Sequence, residues 1–291
     1  MKKYRGVFPA LYACFDESGR VDARQVRRLT RWLLDCRVSG LYVNGSPGES
    51  AHLSLREKIE IMENVMAEAE GRLLVLCSVS ADTVEDSVEL AQRAAACGAD
   101  AVVAGPGVNT RDTLETWRLL SAAANGCDTI FYNAPLPGIP EEKELFSNFV
   151  RETGVKGIIP ADAALTDIAL WRDVLPDEVS VFTAREKECA PAIAMGADAV
   201  TGWFCMAMPE LMVRLESTIR YAGLYRAAPD QNRMLQVCSL LDSCKCPPDA
   251  ARHLVEKLSG IELGRRRSGP GPLLEADRER AEKAWAILTE Q

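Results

Sequence analysis

The sequence predicts an α/β protein, a closed (β/α)8 TIM barrel with a C-terminal helical appendage. Three observations predict it. Eight short apolar runs recur through the first two thirds of the chain, none alternates with polar residues, and helical patterns separate them. A strand that is apolar at every position is buried on both faces, as in a parallel sheet covered by helices. Eight strand and helix repeats suit closure better than an open doubly wound sheet, and no G-x-G-x-x-G follows the first run.

The elements follow in order. The first run, "GVFPALYA" from Gly6, leads to a helical pattern over residues 22–36, and "CRVSGLYV" then enters the second run, "GLYVNG" from Gly40. A helical pattern over 54–70 precedes "LLVLCSV" from Leu73, and one over 83–97 precedes "ACGADAVV" and the run "DAVVAG" from Asp100. Residues 113–124 lead to "TIFYNAP" from Thr129, and residues 141–152 lead to "GIIPA" from Gly157. "VSVFTA" from Val179 and "DAVTGW" from Asp198, the latter entered through "AMGADAVT", complete the eight. The three related segments each end a helix with a glycine, which takes the left-handed conformation that stops a helix. Beyond Pro209 the pattern is helical throughout. Residues 1–228 are read as the barrel and 229–291 as a C-terminal helical region, with Pro247, Pro248, Pro270 and Pro272 marking its loops.

Composition excludes several classes of function. With 47% hydrophobic and 26% charged residues, the chain reads as a soluble globular protein. Its formal net charge of -8 argues against nucleic acid and anionic membranes, which need clustered Lys and Arg. The one basic cluster, Arg265, Arg266 and Arg267, reads as a solvated turn between Gly and Pro residues. No run approaches the ~20 apolar residues of a membrane span, and the apolar run in the N-terminal "MKKYRGVFPALYA" is too short for a signal peptide, so a cytoplasmic location is expected. Ten scattered cysteines sit mostly in apolar runs, as buried thiols do in a reducing compartment. "CKC" at 244–246 lacks zinc spacing, and only His52 and His253 offer imidazole. No metal and no cofactor is predicted.

The active site of such a barrel lies at the C-terminal ends of its strands. Two of those ends stand out: "NGSPGES" after the second run, whose backbone N–H groups suit a carboxylate, and "FYNAP", which puts Tyr132 and Asn133 at the mouth of the fifth. Together with "GVFPALYACFDESGRVD", "LSLREK", "GADAVVAGP", "APAIAMGADAVTG" with "MPEL", and "GPGPLLEADRERAEKAWAIL", these segments resemble the dihydrodipicolinate synthase and N-acetylneuraminate lyase superfamily of pyruvate-dependent aldolases over nearly the whole chain.

The resemblance implies a homotetramer or homodimer, a small carboxylate or keto-acid ligand, and an imine between pyruvate and a lysine in a motif near G-[IV]-K-[DE] at the end of the sixth strand. The matching residues are Gly157, Ile158, Ile159 and Pro160, so Ile159 stands at the lysine's position and offers no amine. Pro47 stands where a second hydroxyl residue is expected, Pro137 where a substrate arginine is, Gly107 and Val108 where an aromatic is, and Ala184, followed by Arg185, where a glycine is. Tyr132, Gly45, Ser46, Gly48 and Glu49 persist. With Pro47, Asn133, Ala184, Arg185 and Thr201, the retained Gly45, Ser46 and Gly48 form the expected binding set.

A substitute amine is sought at Lys156, which period-two alternation sends away from the barrel axis, and at Lys187, whose "REKE" setting reads as solvent-exposed. Asp162, Glu186 and Glu49 are candidate metal carboxylates, but each has a simpler reading: Asp162 caps a helix, Glu49 begins the helix after the second strand, and Glu186 pairs with Arg185 or Lys187. The expectation is a divergent lyase of unassigned substrate, without pyruvate imine or dihydrodipicolinate synthase activity. The alternative is a non-catalytic homologue that binds a small carboxylate or sugar acid, or a structural or regulatory subunit. Whether the chain is an enzyme stays open at this level.

Overall fold

The computed structural model describes residues 2–105, 113–132, 148, 150–160 and 164–290. Eight parallel strands, β1 (Gly6–Pro9), β2 (Gly40–Val43), β3 (Leu74–Ser78), β4 (Ala101–Ala104), β5 (Asp128–Tyr132), β6 (Gly157–Ile159), β7 (Ser180–Thr183) and β8 (Ala199–Gly202), form one sheet in the order β1-β8-β7-β6-β5-β4-β3-β2. A parallel bridge between Ala10 and Tyr42 joins β1 to β2, with Leu11 N–H donating to the Tyr42 carbonyl at 2.9 Å, so the sheet closes. This is the predicted barrel.

Around it lie α1 (Ala23–Asp35), α2 (Leu55–Ala69), α3 (Val84–Ala96), α4 (Thr113–Ala123), α5 (Leu165–Val174), α6 (Cys189–Ala194), α7 (Trp203–Ala207) and α8 (Pro209–Ala222). The C-terminal helices are α9 (Leu224–Asp242), α10 (Pro247–Ser259) and α11 (Glu275–Thr289). The helix predicted over 141–152 falls mostly outside the described residues. Among the described residues no helix is long and apolar enough to cross a membrane.

Strand periodicity decides what fills the barrel. Phe8, Leu76, Ile130 and Phe182 point inward from the odd strands and Tyr42, Val103 and Ile159 from the even ones, and these seven belong to one buried cluster. Thr201 pairs in register with Phe8 and shares its inward face. Alternate-strand layers of this kind make a TIM barrel a packed core rather than a pore. The opposite parity, for example Val43, Val75, Val102, Phe131 and Val181, packs against the helices.

Two of the three repeat glycines behave as expected, since Gly98 (φ +81°) and Gly196 (φ +110°) take left-handed conformations after α3 and α6. The repeat also carries an aspartate that acts alike in both places. Asp100 accepts from Val75 N–H at 3.0 Å and Asp198 from Val181 N–H at 2.9 Å, each tying the foot of its strand to a neighbour. In "CRVSGLYV" the turn falls on Arg37 (φ +60°) instead. Gly40 serves inside β2, where a Cβ would sit 2.3 Å from the Leu74 carbonyl oxygen.

The appendage is knitted into the barrel. The helix α9 begins at Leu224 and runs across the 228/229 division with Pro229 inside it. On α10, the buried Arg252 donates to the carbonyls of Ala13 (2.9 Å), Leu263 (2.7 Å) and Gly264 (3.0 Å). The Arg265 to Arg267 run is only partly the solvated turn that was expected. Arg265 is exposed, but Arg267 donates to the carbonyls of Gly19 and His52, pairs with Glu57 and covers the Phe15 ring at 4.7 Å, and Arg266 lies 3.4 Å from Asp249. These pairings turn the basic run into a clasp over the β2 end of the barrel.

Candidate active site

At the C-terminal ends of β2, β3 and β5 lies a cavity of about 410 Å³. Its wall carries the hydroxyl-bearing Tyr42, Ser46, Ser78, Ser80 and Tyr132, and its outer edge is completed by Arg266 and Ser268 of the clasp. The Tyr42 and Tyr132 rings stack with centroids 6.2 Å apart, and burial pushes the Tyr42 hydroxyl well above the usual phenol range. Both tyrosines reach the mouth because they occupy inward positions on β2 and at the end of β5.

Local chemistry shapes the β2 side. Asn44 follows β2 with φ +58°, a left-handed position that Asn tolerates, and its Nδ2 donates to the Lys58 carbonyl at 2.9 Å. Two 3₁₀ turns, Ser46–Gly48 and Ser50–His52, then lead to α2, which Ser54 and Glu57 open with a capping box. Gly45 lies against the Tyr42 ring, and a Cβ at Gly48 would sit 2.7 Å from the Leu11 carbonyl oxygen. Lys58 falls on the buried stripe of α2 with Ile61, Met62 and Val65, so its side chain runs toward the barrel mouth, where Nζ donates to the Ser80 carbonyl at 3.0 Å. Burial pulls its pKa below the ordinary lysine value, and the more distant charges of Asp82 and Asp86 only partly oppose this.

Glu49 does not begin a helix. It has φ +58° between the two 3₁₀ turns and is buried, and its Oε2 accepts from both N–H and Oγ of Ser268 at 2.9 Å. Its Oε1 and the Asn44 Oδ1 are buried without a hydrogen-bond partner among the described residues. The loop expected to bind a ligand thus also fastens the clasp.

Of the expected residues, the structure brings Ser46 and Tyr132 to this cavity, with Gly45 and Gly48 shaping the loop beside it. Pro47 lines a smaller adjoining cavity of about 200 Å³ with Tyr12, Trp203 and Arg252. Ile159 is fully buried in the barrel interior and is the in-register partner of Tyr132. Thr201 is buried too, with Oγ1 lacking a partner among the described residues, and Ala184 packs against the inner cluster. Arg185 pairs with Glu188. Lys187 pairs with Asp242 of α9 and lies over the Phe204 ring at 5.4 Å, on the outer side of the β7 loop. Lys156 lines a groove with Lys2, Lys3 and Asp128 at the opposite end of the barrel. Asn133, Pro137, Gly107, Val108 and Asp162 lie outside the described residues.

The simple reading of Glu186 also fails, because Arg185 and Lys187 have other partners. Its carboxylate turns inward and is buried, and Oε1 accepts from Phe204 N–H at the start of α7 at 2.9 Å. Burial pushes its pKa up to about 7. The chain makes room for it with Gly202, where φ is +147° and a Cβ would sit 1.9 Å from Oε1. Gly202→Ala is therefore expected to lower stability by about 3 kcal/mol, from backbone strain and the displaced hydrogen bond, read as the shift of a urea unfolding midpoint. A change under about 0.5 kcal/mol would contradict this packing account.

Glu49 and Glu186 hold separate structural posts, and among the described residues no group of three or more His, Cys, Asp or Glu is placed to hold a metal ion. The wall residues that the sequence did not mark include Tyr42, Asn44, Lys58, Arg266 and Ser268. One signal was available for Lys58, a lysine at the position of an apolar stripe in "LSLREK".

Comparison with known proteins agrees with this architecture. The model of the dihydrodipicolinate synthetase family matches residues 3–291. An N-acetylneuraminate lyase of Mediterraneibacter gnavus is 30% identical over 294 residues, covering 99% of this chain and 93% of that protein. The wild-type sialic acid aldolase of Ruminococcus gnavus superposes with a TM-score of 0.91 at 30% identity, covering 99% of this chain and 97% of that one. A catalytic lysine mutant of that aldolase superposes with the same TM-score of 0.91 at 29% identity. The eight-stranded barrel, the strand-end cavity and these matches along nearly the whole length agree, and the chain belongs to the dihydrodipicolinate synthetase family.

Proposed function

We propose that the protein is a divergent lyase of this family that takes a small hydroxylated 2-oxo acid into the mouth between β2, β3 and β5, with no nucleophile at the end of β6. The observation that carries this reading is the pairing of Tyr132 with Ile159 in adjacent strands, both facing the barrel axis, the first on the cavity wall and the second sealed beneath it. The R. gnavus aldolase has a catalytic lysine, which its mutant replaces. At the position that the family motif equates with that lysine, this chain has a hydrocarbon that cannot attack a carbonyl.

The wall supports the choice of ligand. It offers several hydroxyls and charges of both signs, with Lys58 and Arg266 near Asp82 and Glu49. Mixed charge suits a monoacid with many hydroxyl groups and opposes a polyphosphate, whose charge needs a purely cationic cradle. Tyr132 is the group we assign to pass a proton to or from the substrate oxygen. Assembly as a homotetramer or homodimer and a cytoplasmic location belong to the same proposal.

Calorimetric titration tests it. N-acetylneuraminate or pyruvate is expected to bind saturably while ATP does not, and dihydrodipicolinate synthase activity is expected to be absent. Failure of every 2-oxo acid to bind would overturn the reading. A second reading, a non-catalytic binder or a structural or regulatory subunit, draws on Pro47 and Ile159 departing together from the family pattern while the barrel stays intact. Turnover of a bound acid would exclude it.

A further inference from the structure

We propose that Lys58 is the amine that condenses with the carbonyl of a 2-oxo acid held in the mouth cavity, an inference that rests on reading that cavity as an oxo-acid site. It is the only lysine on the cavity wall among the described residues, and it approaches from α2, outside the ring of strands. Its Nζ has one hydrogen bond among the described residues, to a neutral acceptor, the Ser80 carbonyl at 3.0 Å. No carboxylate of the described residues lies within ion-pair distance of it. A lysine held this way has little to fix it as an ammonium.

Two further features favour the neutral amine. Lys58 lies in the first turn beyond the capped N-terminus of α2, where the positive end of the helix dipole opposes a cation. It is also buried, which costs the charged form its hydration. The tyrosine is close to the same spot: a Cβ on Gly105 would lie 3.2 Å from Ser80 Oγ and 3.6 Å from Tyr132 Cδ1, so the residue that receives the amine and the Tyr132 ring flank one α-carbon.

The step balances without a further reagent. The Nζ lone pair forms a bond to the carbonyl carbon, giving a carbinolamine. Both hydrogens of the neutral amine then leave with the carbonyl oxygen as water, and the C=N bond replaces the C=O bond. Tyr132, on the same cavity wall, is the group assigned to hand a proton to the departing oxygen and to recover one.

Borohydride trapping of the full chain with pyruvate, followed by peptide mapping, tests the assignment. The expected result is a reduced adduct on the peptide that contains Lys58, lost in Lys58→Arg and kept in Lys187→Ala. Lys58→Arg keeps a long side chain able to donate to the Ser80 carbonyl but has no nucleophilic amine, and its near-UV circular dichroism checks that the variant is folded. An adduct on any other lysine overturns the proposal. Absence of an adduct while calorimetry shows the acid bound also overturns it and leaves the oxo-acid reading standing, whereas absence of both adduct and binding sinks that reading and the amine with it.

Discussion

Replacing Glu186 by glutamine is expected to raise stability at about pH 8 by about 3 kcal/mol and to remove a fall in wild-type stability between about pH 4.5 and about pH 7. The cause is burial: the carboxyl has its pKa raised from 4.5 to about 7 because the folded chain strips the carboxylate of water. The sign follows from proton binding. Below the unfolded value both states are protonated and the full stability is present. As the pH rises toward 7 the unfolded chain loses its proton while the folded chain keeps it, so stability falls, and above the folded value both states are ionised and the slope ends. Glutamine is neutral throughout and keeps an oxygen to accept from Phe204 N–H, so it retains the local geometry. Denaturation midpoints of both proteins across this range read the difference. Parallel curves would show that Glu186 is hydrated in the folded protein.

The second large effect concerns the join between barrel and appendage. Arg252→Met is expected to cost about 3 kcal/mol, because the buried carbonyls of Ala13 and Leu263 lose a charged donor and the exposed Gly264 carbonyl turns to water, and part of this is offset by no longer burying the charge. For a chain of this size that is a fall in Tm on the order of 10 °C. Arg252→Lys is expected to recover a minor share, since an ammonium cannot span the groups that the planar guanidinium reaches. A loss under about 1 kcal/mol for Arg252→Met would mean that the join rests on apolar packing and on the clasp, and not on this arginine.

The barrel was legible in the sequence because its signals are local. Apolar runs of strand length, helical patterns between them and glycines before the strands each report on a few neighbouring residues, and these placed all eight strands. Of the cavity wall, the sequence pointed to the parts at or just beyond strand ends, Ser46 and Tyr132. The rest of the wall depends on distant pairings. Ser268 meets Glu49 across 219 positions of sequence, and no local pattern marks that contact. The same clasp explains why Arg266 and Arg267 read as a solvated turn: nothing nearby in sequence pairs with them, while Glu57 and Asp249 do so in space. Glu186 read as a surface acid because its neighbours in "REKE" are charged, yet those neighbours are the side chains that turn outward to Glu188 and Asp242. Lys58 carries no motif of its own, and only its spacing from Ile61, Met62 and Val65 puts it on the buried stripe.

A crystal structure of the wild-type protein with N-acetylneuraminate would locate the ligand. Density is expected in the mouth between β2, β3 and β5, with the acid against Ser46, Lys58 and Tyr132 and no covalent link at β6. Density in the groove beside Lys156, on the outer face near Lys187, or in place of the Ile159 side chain would contradict this placement.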